Sequence, residues 1–194
     1  MPNWCSTKII ISHESENKLI AFNKLLDKWT SKDYMPNGFG HSWLGNIVLG
    51  SEIGTVDEDP NTDIRCRGWI SYKDLYANEL TIDTETAWAP MLHMWIRLVD
   101  KYLPDATIIY NAEEPGCGIY DTNDEDLIGK YILDSWDDNV ESDYEMEEET
   151  LIRELQRIIG TTETDINKLI KMTEDDDYDF SIHKWEYKNI NEWS

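Results

Sequence analysis

Hydrophobic and polar positions change period several times along the 194 residues. Trp4 to Ser12 contains Ile9, Ile10 and Ile11, β-branched residues suited to a pleated, buried surface, and this run predicts a strand. Leu19, Phe22, Leu25, Leu26 and Trp29 then recur at helical spacing and predict an amphipathic helix of about four turns. Ser15 stands at the N-cap position, with Lys18 where a capping box needs an acid. Lys32 to Ser42, with Pro36, Gly38 and Gly40, reads as a loop. Trp43 to Gly50 reads as a short strand or turn, and Asp57–Asp63 as a second loop.

Arg65 to Tyr76 and Glu79 to Glu85 alternate with period two and predict a hairpin around Ala77–Asn78. In the first strand, Trp69, Ser71 and Lys73 alternate with Ile70, Tyr72 and Asp74. In the second, Leu80 and Ile82 alternate with Thr81 and Asp83. Pro90 suits the first turn of a helix carrying Leu92, Trp95, Ile96 and Val99, which Pro104 ends. Ala106 to Asn111 and Gly116 to Asp121 predict a second hairpin, and residues 127–133 a further strand extending the same sheet. Asp143 to Ile159 predicts an acidic helix with Leu151, Leu155, Ile158 and Ile159 on one face, closed by Gly160. Thr162–Met172 predicts a shorter helix capped by Thr162, Thr164 or Asp165, and Phe180–Tyr187 a closing strand.

The order β-α-loop-β-β-α-β-β predicts an α+β fold: a ferredoxin-like split βαβ, with an antiparallel sheet and helices on one face. An acidic helical extension that ends in a strand follows. The expected domains are residues 1–133 and residues 134–194.

Charge changes this picture most. The chain carries 40 acidic residues against 17 Lys and Arg, a net charge of -23. Residues 1–133 hold 21 acids and 11 bases, whereas residues 134–194 hold 19 acids and 6 bases. Such an excess disfavours direct binding to nucleic acid, because phosphates must be matched by Lys and Arg that replace counterions. It favours cations and basic protein surfaces. Nine Trp and ten Tyr supply enough apolar surface for a folded core. No apolar run approaches the roughly 18 residues of a membrane span. The start, MPNWCSTKIIIS, lacks the basic and apolar regions of a signal peptide. Cys5, Cys66 and Cys117 are odd in number and widely spaced, as expected of reduced thiols in a cytoplasmic protein.

Catalytic and metal signals are weak. Asp57, Glu58, Asp59 and Asp63, or Asp121, Asn123 and Glu125, place oxygen ligands together. The run from Asp121 lacks the glycine of an EF-hand loop and has Ile132 at the twelfth place. His13, His41, His93 and His183 are scattered, and none pairs with a Cys at ligand spacing. No metal or cofactor is therefore expected. Glu85 precedes Trp88, and Glu113 and Glu114 precede the glycine turn at Gly116, so these carboxylates could form a cleft suggesting hydrolysis or sugar binding. Cys117 between two glycines, with His93 or His41 as partner, is the one position for a nucleophile. Trp69 and Tyr72 on a sheet would suit base stacking, but few bases accompany them. Trp4 and Trp88 are expected to pack in the interior, with a ligand-stacking surface as the alternative.

Two short motifs sit where the fold requires them. Met1-Pro2-Asn3-Trp4 opens the first strand, and Thr86-Ala87-Trp88-Ala89-Pro90 follows the third. Together they resemble the Api92-like (YubB ferredoxin-like) family of phage and plasmid proteins over about residues 1–121. The resemblance implies a ferredoxin-like domain and a mobile-element setting, and no catalytic residues. Within 16 positions, Asp134 to Glu149 hold nine acids interleaved with Trp136 and Tyr144. On a helix rising about 1.5 Å per residue, alternate carboxylates approach the charge spacing of DNA, about 1.7 Å. The expected function is a non-enzymatic acidic binding protein that imitates nucleic acid. Trp136, Asp137, Asp138, Tyr144, Glu145, Glu147, Glu148 and Glu149 would contact a basic nucleic-acid-binding protein of the host, such as a restriction or CRISPR nuclease. The alternatives are a structural or regulatory protein whose acidity is incidental, and a carboxylate-based enzyme.

Overall fold

In the computed structural model, residues 3–31, 39–56, 64–175 and 178–193 are described. The expected loop at Asp57–Asp63, with its candidate cation ligands, lies outside them, as does most of the loop from Lys32. The fold is mixed α+β with largely antiparallel strands. The chain divides into two compact units. The first comprises Met1–Asp124 and Lys188–Ser194, and the second is Glu125–Tyr187, inserted between them. The charge step at Asp134 therefore falls inside the second unit.

The first unit contains β1 (Trp4–Ser12), α1 (Glu16–Trp29), α2 (Leu44–Ser51), β2 (Gly68–Tyr76), β3 (Glu79–Ala87), α3 (Leu92–Tyr102), β4 (Thr107–Glu114) and β5 (Ile119–Thr122). Strand β1 is hydrogen-bonded on both sides, with Ile9 opposite Ile82 of β3 and Tyr110 of β4. Neighbours run antiparallel in the order β2-β3-β1-β4-β5. Side chains alternate across a strand. Cys5, Thr7, Ile9 and Ile11 are thus buried on one face, and Trp4, Ser6 and Lys8 are exposed on the other. The buried face meets Leu19, Phe22, Leu26 and Trp29 of α1, Leu44, Ile47 and Val48 of α2, and Trp95 and Leu98 of α3 in one core.

Two local departures from the sequence reading have clear causes. Trp43–Gly50 is not a strand or turn. Leu44, Ile47 and Val48 recur at helical spacing and are all fully buried, so the segment gains more burial as a helix. Gly45 is required there, because a Cβ would lie 2.0 Å from the Trp43 ring. In β2 the register shifts between Ile70 and Tyr72. This bulge breaks the expected alternation. Trp69 and Tyr72 now share the open face, while Ile70, Lys73 and Leu75 share the core-side face. Lys73 keeps its charge solvated by reaching the edge of α1, where its ammonium donates to Asp27 at 2.5 Å and to Asn23.

Residues after 187 return to the first unit as a strap. The Lys188 N–H donates to the Thr122 carbonyl at 2.9 Å, and its ammonium lies 3.2 Å from Asp121. The same ammonium stands 3.4 Å from the centre of the Trp193 ring. The Trp193 indole donates to the Tyr110 hydroxyl at 3.0 Å, which donates to the Lys188 carbonyl at 2.9 Å.

The second unit contains β6 (Tyr131–Ser135), β7 (Asp143–Met146), α4 (Glu148–Ile159), α5 (Ile166–Asp175) and β8 (Phe180–Lys184). Its three-stranded antiparallel sheet has β6 in the centre, with Leu133 opposite Asp143 of β7 and Ile182 of β8. Leu133, Val140 and Met146 pack with Leu151, Leu155, Ile166 and Leu169 in a second core. Strand β6 therefore centres its own sheet and does not extend the first one. The segment expected as one acidic helix from Asp143 is a strand followed by a helix. Met146 is buried opposite Tyr131, which fixes strand geometry up to Glu147, and Glu147 is the N-cap of α4. The C-terminal part is thus a small α+β unit rather than a helical extension. Gly160, at φ 74°, ends α4 as expected. Asp165 caps the next helix by accepting the Asn167 N–H at 3.0 Å. Among the described residues no helix is long and apolar enough to cross a membrane.

The strap makes a stability prediction. Trp193→Ala removes a hydrogen bond, a cation–π contact and half-buried apolar surface, and should destabilise the first unit by about 2 kcal/mol. Thermal denaturation followed by near-ultraviolet circular dichroism checks this. An unchanged midpoint would show that the strap adds nothing to stability.

Candidate functional site

Residues 125–187 carry 20 acids and 6 bases, a balance of -14, against 20 acids and 11 bases elsewhere. The acids cited from the sequence do not form one continuous helical face. They occupy a turn, a strand and the start of a helix. Trp136, 70 % exposed, follows β6 and begins the turn into β7. Asp137 is tied into that turn: its Oδ1 accepts the Asn139 backbone N–H and side-chain amide, each at 2.8 Å. These hydrogen bonds hold its pKa below the ordinary value, with a smaller contribution from Arg157. Asp138 is exposed beside it.

Tyr144 and Glu145 lie on β7, and the Tyr144 hydroxyl donates to Asp134 at 3.0 Å. Glu147, Glu148 and Glu149 lie at the other end of the strand. Glu147 lies 3.7 Å from the Lys130 ammonium, and Glu148 accepts the Tyr131 hydroxyl at 3.1 Å. Glu148 and Glu149 also occupy the first turn of α4, where carboxylates are stabilised by the helix dipole. The structure therefore places all eight sequence-predicted residues in the second unit, spread over the turn before β7, the strand itself and the start of α4. The expected helical spacing of charge is not present, because β7 is extended.

The first unit carries a different surface. Its sheet has helices over one face, and the register defines the other. Trp4, Ser6 and Lys8 of β1 lie beside Ala87, Glu85 and Asp83 of β3, and Trp69 and Tyr72 of β2 lie beyond Glu85 and Asp83. Trp4 is 41 % exposed and Trp69 38 %, and their rings meet edge to face at a centroid distance of 4.6 Å. Tyr72 is 52 % exposed. Trp88 is 48 % exposed, follows β3 in a left-handed conformation at φ 72°, and donates its N–H to the Asn3 carbonyl at 2.9 Å. Trp4 and Trp88 are therefore not interior side chains. The alternation puts the smaller Cys5 and Thr7 inward, and Trp4 follows the polar face. Composition could not assign these faces, because Trp is the more apolar residue. The bulge that joins Trp69 with Tyr72 likewise left no signal in the alternation.

The remaining candidates are separated by the fold. Glu114 is 2 % exposed and caps the short turn at Pro115–Cys117 by accepting the Gly116 N–H at 3.0 Å. It lies on the opposite face from Glu85 and Glu113, which flank Ser6 on the open face, so the fold separates Glu114 from the other two. Cys117 is exposed, but its thiol hydrogen-bonds to Glu114, which raises its pKa, opposite to what a nucleophilic thiolate requires. Burial pushes the Cys5 thiol up to about 12. Asp121 pairs with Lys188, and the Asn123 side chain bonds the backbone of Tyr110 and Ile108, so these candidate cation ligands serve the strap and sheet. No group of three His, Cys, Asp or Glu able to hold a metal occurs among the described residues.

No protein-family model, no curated protein and no solved structure matches the chain.

Asp83 gives a pH prediction. Desolvation raises its pKa above 3.8, and the nearby Lys8 only partly offsets this. One of its oxygens, Oδ1, is buried without a hydrogen-bond partner. A raised folded-state pKa means that the folded chain binds the proton more readily than the unfolded chain. The charged group thus costs stability above that folded pKa, and the cost disappears as pH falls below 3.8. Asp83→Asn should raise the melting temperature at pH 7 and lose that advantage near pH 3.5, a value set by the usual aspartate range of about 3.9. Melting curves of both proteins across this window check it. A variant equally or less stable at pH 7 would contradict the assignment.

Proposed function

We propose that the chain is a non-enzymatic acidic binding protein of a mobile genetic element. Its second unit imitates nucleic acid and occupies the basic surface of a host nuclease of the restriction or CRISPR type in the cytoplasm. The observation that carries this reading is the concentration of charge in a small folded unit. Among the described residues the carboxylates of Asp138, Glu141, Glu145 and Glu149 form no ion pair or side-chain hydrogen bond, and all four residues are exposed. Trp136 and Tyr144 lie among them. Exposed aromatics often anchor an interface, and uncompensated charge steers a basic partner into contact. The mimicry rests on acids spread over a turn, a strand and a helix start rather than on a continuous helical row.

The first unit is the scaffold, and we read it as ferredoxin-like. The antiparallel order β2-β3-β1-β4, with helices after β1 and β3, supports that topology. The resemblance of Met1–Trp4 and Thr86–Pro90 to the phage and plasmid family supports the mobile-element setting. One observation favours the alternative of incidental acidity. Asp137, Asp143 and Glu148 each accept a local hydrogen bond, so part of the charge serves turns and helix ends.

Capture of partners from bacterial lysate, eluted in a salt gradient and identified by mass spectrometry, tests the proposal. A basic nuclease released only at elevated salt is the expected result. Reversal of Glu147, Glu148 and Glu149 to Lys should abolish capture. Single reversals at Asp138 or Glu145 should each weaken it about tenfold at low salt, with the loss shrinking as salt rises. Partners indifferent to salt and to these reversals would favour incidental acidity.

A further inference from the structure

The open face of the first sheet is unlike the second unit, because aromatic rings and carboxylates alternate across it. Trp69 sits directly across from Glu85, and Glu85 is flanked on its other side by Ser6. Cross-strand neighbours on one face lie about 5 Å apart, so the Trp69 ring, the Glu85 carboxylate and the small Ser6 form one continuous strip. Trp4 closes the strip at one end by its edge contact with Trp69. At the other end, Asp83 lies between Lys8 and Tyr72.

Such a strip selects its occupant by charge. Apart from Lys8, the charged open-face positions of β1 to β4 are Asp74, Glu79, Asp83, Glu85 and Glu113. A nucleic-acid backbone would meet these five carboxylates with only Lys8 on the strands, and the exposed Arg65 and Arg67 just before β2, to match its phosphates, although the rings alone would suit base stacking. A second copy of the chain would bring another net charge of -23 against them. A guanidinium satisfies both components. It is planar and weakly hydrated, it stacks on indole, and it forks onto a carboxylate. We propose that this face, centred on Trp4, Trp69 and Glu85, docks an arginine-rich segment of a partner protein. The surface belongs to the first unit and does not depend on the reading of the second.

The nine Trp indole N–H groups provide the test. In ¹⁵N-labelled full-length protein, Trp4→Phe, Trp69→Phe and Trp136→Phe assign three side-chain resonances, and a hexa-arginine peptide is titrated in. The resonances of Trp4 and Trp69 are expected to shift along a saturable curve. The isosteric Glu85→Gln should weaken that curve about threefold, as expected for loss of a partly exposed charge contact, and leave the Trp136 response unchanged. Trp136 reports the acidic second unit, so the two readings fail separately. Movement of Trp136 alone overturns the docking face and spares the proposed function. Equal responses in Glu85→Gln and the parent protein overturn it too. So does a thymidine oligonucleotide that moves Trp4 and Trp69 as strongly as the peptide, which would make the face a base-stacking platform.

Discussion

Ile9 lies between Ile82 and Tyr110, at the centre of the strand that, among the described residues, alone hydrogen-bonds to both β3 and β4. The first unit takes its geometry from this double pairing. A slip of β1 by one residue would send Cys5, Thr7, Ile9 and Ile11 to solvent and draw Trp4, Ser6 and Lys8 under the helices. Lys8 would then lose its solvation and Trp4 would have to fit space now filled by Cys5. The same register that closes the core presents the two tryptophans beside Glu85. The fold and the exposed strip are therefore two consequences of one pairing. Tyr110 extends the constraint to the end of the chain, because its hydroxyl joins the strap through Lys188 and Trp193.

Elements with a full period were legible in the sequence. The triple isoleucine of β1, the Leu80 and Ile82 alternation of β3, and the Leu92, Trp95 and Val99 stripe of α3 each carry their answer locally. Two tertiary effects overrode local pattern elsewhere. The β2 bulge exchanged the faces of Tyr72 and Lys73, and no single strand encodes a bulge that depends on its partner's register. The Asp143–Met146 segment looks helical by its charge and by continuity with α4, yet Met146 finds a buried place opposite Tyr131. Burial of one methionine outweighs weak helical preference over four residues. Insertion of the second unit was also hidden, since Lys188 gives no sign in sequence that it returns to Asp121.

The acidity of the candidate site was legible in composition, but its arrangement was not. Counting acids located the excess in the last third of the chain, and the structure places Trp136 to Glu149 in the second unit. What counting could not give was the division of labour among the carboxylates. Asp137 and Asp143 accept backbone N–H groups, and Glu148 sits at a helix start while accepting the Tyr131 hydroxyl. These acids stabilise the unit that displays the others. Asp138, Glu141, Glu145 and Glu149 add repulsion without local return, since each is exposed and lacks a cation within pairing distance among the described residues.

That distinction separates the two surfaces physically. The exposed charges of the second unit act over the Debye length, about 8 Å at physiological salt, so they govern encounter more than fit. The strip around Trp69 acts at contact. An indole face and a carboxylate attract a guanidinium only within about 6 Å, but the interaction is directional and less screened once water leaves. A partner with a broad basic surface satisfies the first requirement, and one with an accessible arginine satisfies the second. Nucleic-acid-binding proteins as a class carry both, because arginine is their common means of gripping phosphate and base edges. On the proposed readings, the long-range and contact surfaces would suit the same chemical class of partner, although each unit would reach that suitability through different residues.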